Sequence, residues 1–402
     1  MEGRPGIPAA PVNQGRLTLI LGALTAFAPF ATDMYLSSFP SIARDLAADP
    51  GQVQLTLSVF FFGLAAGQLL YGPLSDRLGR RRPLLAGIAL FVASSGLVVV
   101  VPDILGFVAL RLLQAVGGCA GMVISRAIIG DLFEWKTAAR VLATLMLVQG
   151  MGPILAPILG GYILTLAGWR MIFWFLVLFG ALCFAAVLFL IPETLPEDRR
   201  RREGLGRMLR TFGTLLVRRE FIIPTLAGGL AVGEIFAFIS GSPYVLMTLY
   251  GRNQQEYGWL FGLNALGMTA TAYVGRILLR HFSPRQVLAG ALGVNLGLAA
   301  VLLALARTPS LVLFMLPLSM CLAMNPVIGA TSTAMAMNAG RDASGSASAI
   351  IGVTQFGFAS LASALVGLLH NGTPYPMTGV ILCCGLAAVL VAYFGSRGIA
   401  AA

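Results

Sequence analysis

Twelve stretches of this chain are apolar and long enough to cross a lipid bilayer, which takes ~20 residues of helix. They fall near 17–39, 53–74, 84–101, 104–130, 138–167, 171–191, 221–249, 257–279, 286–306, 310–337, 345–369 and 377–395. Some carry no charge at all, such as Val53 to Leu70 and Leu84 to Val101. Composition agrees: 57% of the 402 residues are hydrophobic and 11% charged, against about 25% charged in soluble domains. Forty-eight glycines suit closely packed transmembrane helices. The predicted fold class is an all-α polytopic membrane protein of twelve transmembrane helices in two six-helix bundles.

Arginine and lysine sort by loop. With the N-terminus placed in the cytoplasm, 21 of the 27 basic residues fall in inner segments and 4 (Arg44, Arg170, Arg252 and Arg307) in outer loops. Arg111 and Arg126 lie within the fourth run. That asymmetry predicts both termini inside. The net charge of +11 is therefore a topology signal and predicts no nucleic-acid partner. The expected organisation is a tail over 1–16, a first bundle over 17–191, a linker over 192–220, a second bundle over 221–395 and a tail over 396–402. In the linker, Leu205, Met208, Leu209, Phe212, Leu215 and Leu216 recur at helical spacing among arginines. They form either an amphipathic helix on the anionic inner leaflet or a disordered basic connection.

Between the second and third runs lies Gly72-Pro73-Leu74-Ser75-Asp76-Arg77-Leu78-Gly79-Arg80-Arg81-Arg82-Pro83. It reads as a charged loop at the membrane face, with Gly72, Pro73 and Gly79 as helix breakers. It resembles the G-x-L-x-D-R-x-G-R-R signature of the major facilitator superfamily of secondary transporters. The resemblance implies a gating role for Gly72, Asp76, Arg77, Gly79, Arg80 and Arg81. Gly72, Arg77 and Arg82 recur as Gly275, Arg280 and Arg285 at a constant offset of 203. With six helices on either side of the linker, that echo supports a parallel repeat around one cavity.

Ionisable residues at membrane depth are costly and point to function. Asp33 in the first run and Arg111 in the fourth lie at similar distances from the outer face and are expected to meet. Burial favours a neutral carboxyl and a nearby arginine favours the carboxylate. The pair is then a switchable proton site, or a permanent ion pair joining two helices. Thr32-Asp33-Met34-Tyr35-Leu36-Ser37-Ser38-Phe39-Pro40 is similar to the T-D-M-Y-L-P-A-x-P signature of the bicyclomycin/chloramphenicol-resistance branch of drug:proton antiporters, with Ser37 where that branch has Pro, implying a softer bend. Arg111-Leu112-Leu113-Gln114-Ala115-Val116-Gly117 resembles its R-x-x-Q-G-x-G. The resemblance puts proton and drug handling on Asp33 and Arg111, and implies a bacterial cytoplasmic (inner) membrane.

In the fifth run, Gly152, Ala156 and Gly160 make a smooth face, with Pro153, Pro157 and Gly161 around it. This resembles the antiporter signature G-x-x-x-G-P-x-x-G-G, and equally a generic packing face. Glu234, in the seventh run, is a second proton site, an attractor for cationic drugs, or a neutral acid held between helices. Phe30, Met34, Tyr35, Gln114, Met146, Gln149, Phe236, Tyr244 and Asn264 are candidate cavity residues beside Asp33, Arg111 and Glu234. Arg126, followed by Asp131, is expected to snorkel or pair structurally.

Cys119, Cys183, Cys321, Cys383 and Cys384 lie in apolar runs without metal-site spacing, so no metal and no cofactor are expected. Lys136, the sole lysine, follows Trp135, so the phosphate loop G-x-x-x-x-G-K-[ST] is absent. His281 and His370 stand apart and no nucleophile–base set appears, which argues against an enzyme. The reading is a monomeric secondary transporter exchanging small amphipathic drugs for protons, or alternatively a proton-coupled exporter of a sugar or amino acid.

Overall fold

A computed structural model describes residues 14–200 and 205–397. Arg4 with most of the N-terminal tail, Arg201, Arg202 and the last residues of the C-terminal tail lie outside the described residues. Among those described, every regular element is helical. The spanning segments are α1 (Gln14–Asp45), α2 (Pro50–Leu78), α3 (Arg81–Val99), α4 (Ile104–Leu132), α5 (Trp135–Ala167) and α6 (Trp169–Leu190). After the linker come α7 (Arg219–Leu249), α8 (Gln254–His281), α9 (Pro284–Ala304), α10 (Leu311–Ala339), α11 (Ser344–Leu368) and α12 (Tyr375–Arg397).

Eleven of these meet the length and apolarity needed to cross a membrane, by length and composition. The twelfth, α8, has 28 residues and ample length, but Gln254, Gln255, Glu256, Asn264, Arg276 and Arg280 dilute its hydropathy. Helices α1 to α6 pack among themselves, as do α7 to α12, giving two bundles. They meet chiefly through α2 against α11 and α5 against α8.

Three local features depart from the sequence expectations. First, the charged hinge is mostly helix: α2 runs through Gly72 and Pro73 to Leu78, and the turn is confined to Gly79, at φ 88° and ψ 170°. That backbone region is almost exclusive to glycine. Second, α1 is interrupted at Ser37 itself. The chain turns at Ala26, and a 3-10 turn over Leu36–Ser38 separates the helices Phe27–Asp33 and Phe39–Asp45. Pro40, in the first turn of the last piece, withholds a backbone donor there. Third, α1 continues helical to Asp45, which accepts from Trp169 Nε1 and Arg170 at 2.9 Å each. Asp33 therefore lies twelve residues, roughly 18 Å at 1.5 Å per residue, from the end of its segment. The apolar run 17–39 alone would place it six residues from the end.

The linker does form a helix, Leu205–Val217. Phe212 and Leu215 pack on Phe221, Ala336, Ala347, Ile350 and Ile351 of the second bundle. Arg218 fixes its end by donating to both oxygens of Asp342, 3.0 Å each.

Candidate substrate and proton site

The broken segment of α1 is held against the seam between the bundles. Its backbone is seated on the small-residue face of α5. A Cβ at Gly160 would run into the Met34 carbonyl, and one at Gly152 would stand 2.6 Å from Pro29. Ala156 is fully buried on the same face. Gly161 and Pro157 instead face α8: the Gly161 Cβ position is 3.1 Å from the Gln254 carbonyl, and the Pro157 carbonyl is 3.2 Å from the Cβ position of Gly258. The 3-10 turn of α1 also touches α8.

Asp33 is buried at 3% exposure, and Thr32 donates to its Oδ1 at 2.9 Å. Arg111 is fully buried, its guanidinium clamped between the rings of Tyr35 and Phe60 at 4.3 and 4.2 Å. Such stacking is the cation–π arrangement. Arg111 donates to Gln114 Oε1 at 2.5 Å, and Gln114 donates to Ser95 Oγ at 2.7 Å. Tyr35 shares a 2.9 Å hydrogen bond with Thr56. The remaining guanidinium nitrogens Nε and Nη2 have no partner.

Asp33 and Arg111 form no ion pair here, so the expected direct meeting is not seen. Tyr35 fills the position beside Arg111 instead. The signal for Tyr35 was in the signature; Thr56, Phe60 and Ser95, contributed by α2 and α3, left none.

The other candidates divide. Phe236 of α7 meets Phe61 of α2 at 4.1 Å across the seam. Met34 is buried beside Asp33. Asn264 is buried on α8 with Oδ1 unpartnered, Met146 stands exposed on α5, and Gln149 is half-buried. Tyr244 turns to His370, ring to ring at 4.4 Å. Phe30 points away from the seam, against Phe175 and Phe179, into a lateral cavity of about 650 Å³ between α1, α5 and α6. Glu234 lies inside the second bundle, where Asn295 and Asn325 donate to Oε2 at 2.9 and 3.1 Å.

Hydrogen bonds cross the seam toward the end opposite the termini, and the α2–α11 contact runs on as far as Gln68, whose Oε1 is 3.1 Å from the Cβ position of Gly352. Ser58 Oγ donates to the Ser360 carbonyl at 2.8 Å, and Ser360 Oγ to the Ser58 carbonyl at 2.9 Å. Gln255 donates to Thr165 at 2.9 Å. Nearer the termini, Met146, Met151 and Tyr273 stand exposed on α5 and α8. Arg126 is exposed on α4 and forms no ion pair among the described residues. Asp131 pairs instead with Arg80, 2.9 Å.

The hinge is tied within the first bundle. Arg80 bridges Asp76 at 2.5 Å and Asp131. Glu193, just past α6, accepts from the Arg80, Arg81 and Leu195 amides at 2.7, 3.2 and 3.0 Å. Arg81 reaches the Leu188 carbonyl. Arg77 stands exposed beside them.

The profile of the Major Facilitator Superfamily matches residues 21–364. The chain belongs to that superfamily. A member from Bacillus subtilis, the uncharacterized MFS-type transporter YdgK, is 35% identical over 96% of both chains. A bicyclomycin resistance protein homolog from Haemophilus influenzae is 32% identical over 95% of this chain and 98% of its own. Multidrug resistance protein MdtL of Escherichia coli is 28% identical over 94% of each. These relatives match the branch resemblance read from the sequence. A bacterial homolog of the human lysosomal transporter Spinster, solved inward-facing and unoccupied, aligns with TM-score 0.75 at 15% identity over 97% of this chain and 98% of that one. A D-xylose-proton symporter aligns at 0.69 and 17% identity over 94% and 96%. Both show the fold. The chain is a multi-pass membrane transporter of that superfamily, not an enzyme.

Proposed function

We propose that this transporter exports small amphipathic drugs across the bacterial cytoplasmic membrane in exchange for protons, by alternating access. The observation that carries the reading is a buried carboxyl and a buried, half-unpartnered arginine set beside the seam where α1 is broken. The relatives named for bicyclomycin and multidrug resistance support the substrate class. On this reading the open end is cytoplasmic, because the basic residues gather there. Asp33 is the proton acceptor. Arg111 is held ready by Tyr35, Phe60 and Gln114, and its free nitrogens take their partner, substrate or the Asp33 carboxylate, at another stage of the cycle. The apolar walls of the seam accept the drug body, as pockets for such ligands do.

Everted vesicles provide the test. An acid interior should drive accumulation of drug from a panel, and a clamped gradient should stop it. Accumulation of a labelled sugar or amino acid with no drug movement would reassign the substrate. Drug accumulation that needs ATP at zero gradient would sink proton exchange.

A further inference from the structure

Glu234 belongs to a polar cluster sealed inside the second bundle. Asn295 of α9 and Asn325 of α10 both give their amide N–H to its Oε2. Asn295 also donates to the Cys321 carbonyl at 3.1 Å. All three side chains are at most 2% exposed. On α12 the cluster meets bare backbone: a Cβ at Gly385 would stand 2.9 Å from Glu234 Oε1 and 3.1 Å from Asn295 Oδ1.

Oxygen is in excess here. The amide oxygens Asn295 Oδ1 and Asn325 Oδ1 are buried with no donor, a costly condition in a low-dielectric interior. Glu234 has no ion-pair partner among the described residues, and the titratable groups facing it are the thiols of Cys321 on α10 and Cys384 on α12. A carboxylate among unmatched carbonyl oxygens lacks one positive charge. Two more unpartnered buried hydroxyls, Thr331 and Ser332, continue along α10 toward the end with the termini. Ser332 faces Gly228 of α7, its Cβ 3.0 Å from the Cβ position there. Ser332 lies about 10 Å along the helix from Asn325. Helical Ser and Thr usually bond back to their own helix; these two do not.

We propose that Glu234, Asn295 and Asn325, converging from α7, α9 and α10 over the bare backbone of Gly385, form an occluded site for one monovalent cation, a proton or a sodium ion. The site is separate from the Asp33 and Arg111 region, and Thr331 and Ser332 mark its approach. A proton on Oε1 donates to one of the unmatched amide oxygens. A sodium ion takes the carboxylate, the amide oxygens and the Cys321 carbonyl as oxygen ligands, after the amides turn about their terminal torsions.

The test uses the full chain in lipid nanodiscs without drug, so it does not depend on drug export. Binding of radioactive sodium and the infrared carbonyl band of a protonated carboxylic acid are measured from acid to alkaline pH. Saturable sodium binding that is lost in Glu234→Gln identifies a sodium site. A carboxylic-acid band absent from Glu234→Gln, which fades as pH rises without any sodium binding, identifies a proton site. Gly385→Ala keeps the carboxyl but fills the space over it. It should abolish the sodium binding or shift the pH at which the band fades, and it decides the matter if Glu234→Gln does not fold. No sodium binding together with a Glu234 band that is absent, or constant at every pH, overturns the proposal.

Discussion

Single side chains carry the proposed coupling. Asp33→Asn imitates the protonated acid at all times. The variant should bind a neutral drug, yet release no proton on binding it and support no proton-driven exchange. Arg111→Ala removes the cation that, on the proposed cycle, meets substrate or the Asp33 carboxylate at another stage. Its drug binding should lose the pH response of the wild type. The double variant should lose no more coupling than Asp33→Asn alone, since groups acting as a unit are not additive. Proton release on drug binding, measured against pH for the four proteins, checks all three. Wild-type release from Asp33→Asn would move the proton site elsewhere. A packing prediction sits beside this one. Gly160→Ala drives a methyl into the Met34 carbonyl, and an overpacked contact costs about 1–3 kcal/mol. Its melting temperature in detergent should fall, whereas Gly150→Ala, with open space around it, should melt near the wild type.

At the scale of elements, the hinge shows what the sequence could and could not tell. Its position between α2 and α3 was legible from two uncharged runs and a cluster of arginines. Its conformation was not: Gly72 and Pro73 looked like breakers, yet α2 continues through them, because a helix packed inside a bundle keeps its backbone bonded past a proline. The partners of Arg80 were equally hidden, since Asp131 and Glu193 reach it from 51 and 113 residues away. Distance along the chain also concealed Asn295 and Asn325 from Glu234, and the length of α1 concealed the true depth of Asp33. Spans, repeat and basic loops are one-dimensional signals; side-chain partners across helices are not. The hinge itself should be sensitive at Gly79. Alanine there would need a backbone that costs about 1–3 kcal/mol, and its methyl would meet the Glu193 carboxylate. Gly79→Ala should lower transport and thermal stability together. Asp76→Asn weakens an ion pair that is 40% exposed on the aspartate side, so its melting temperature should barely move. If the hinge also latches the bundles in the opposite state, its turnover should fall with drug affinity retained.

For the whole molecule, the end opposite the termini carries the Ser58–Ser360 and Gln255–Thr165 contacts, and on the alternating-access reading it is the closed gate. His370 sits in it, against Gly51 and Tyr244. Burial lowers its pKa below the usual 6.5, and Asp49 offsets this only in part. This closed state is therefore favoured while His370 is neutral, and it loses that advantage as pH falls below about 6.5. Acid on that face should raise labelling of a cysteine placed at Leu55, whose side chain lies 3.4 Å from the Cβ position of Gly367, and His370→Gln should flatten the response.

The gate also predicts what a tether would do. Ser58 Oγ and Ser360 Oγ are 3.4 Å apart across the seam, close enough for a disulfide if both become cysteine. The five native cysteines complicate oxidation, so the pair belongs in a background where each is replaced. Once oxidised, Ser58→Cys/Ser360→Cys should hold the bundles together at that end while the opposite end stays open. On the alternating-access reading drug reaches the seam from the end with the termini, so its affinity should remain close to that of the reduced protein. Transport should stop, because the closed gate must part for substrate to leave. Reducing agent should restore it, and either single variant should be insensitive to oxidant. Transport by the fully cross-linked protein at the reduced rate would mean that the bundles need not separate at α2 and α11, and the rocking of one bundle against the other would have to be abandoned.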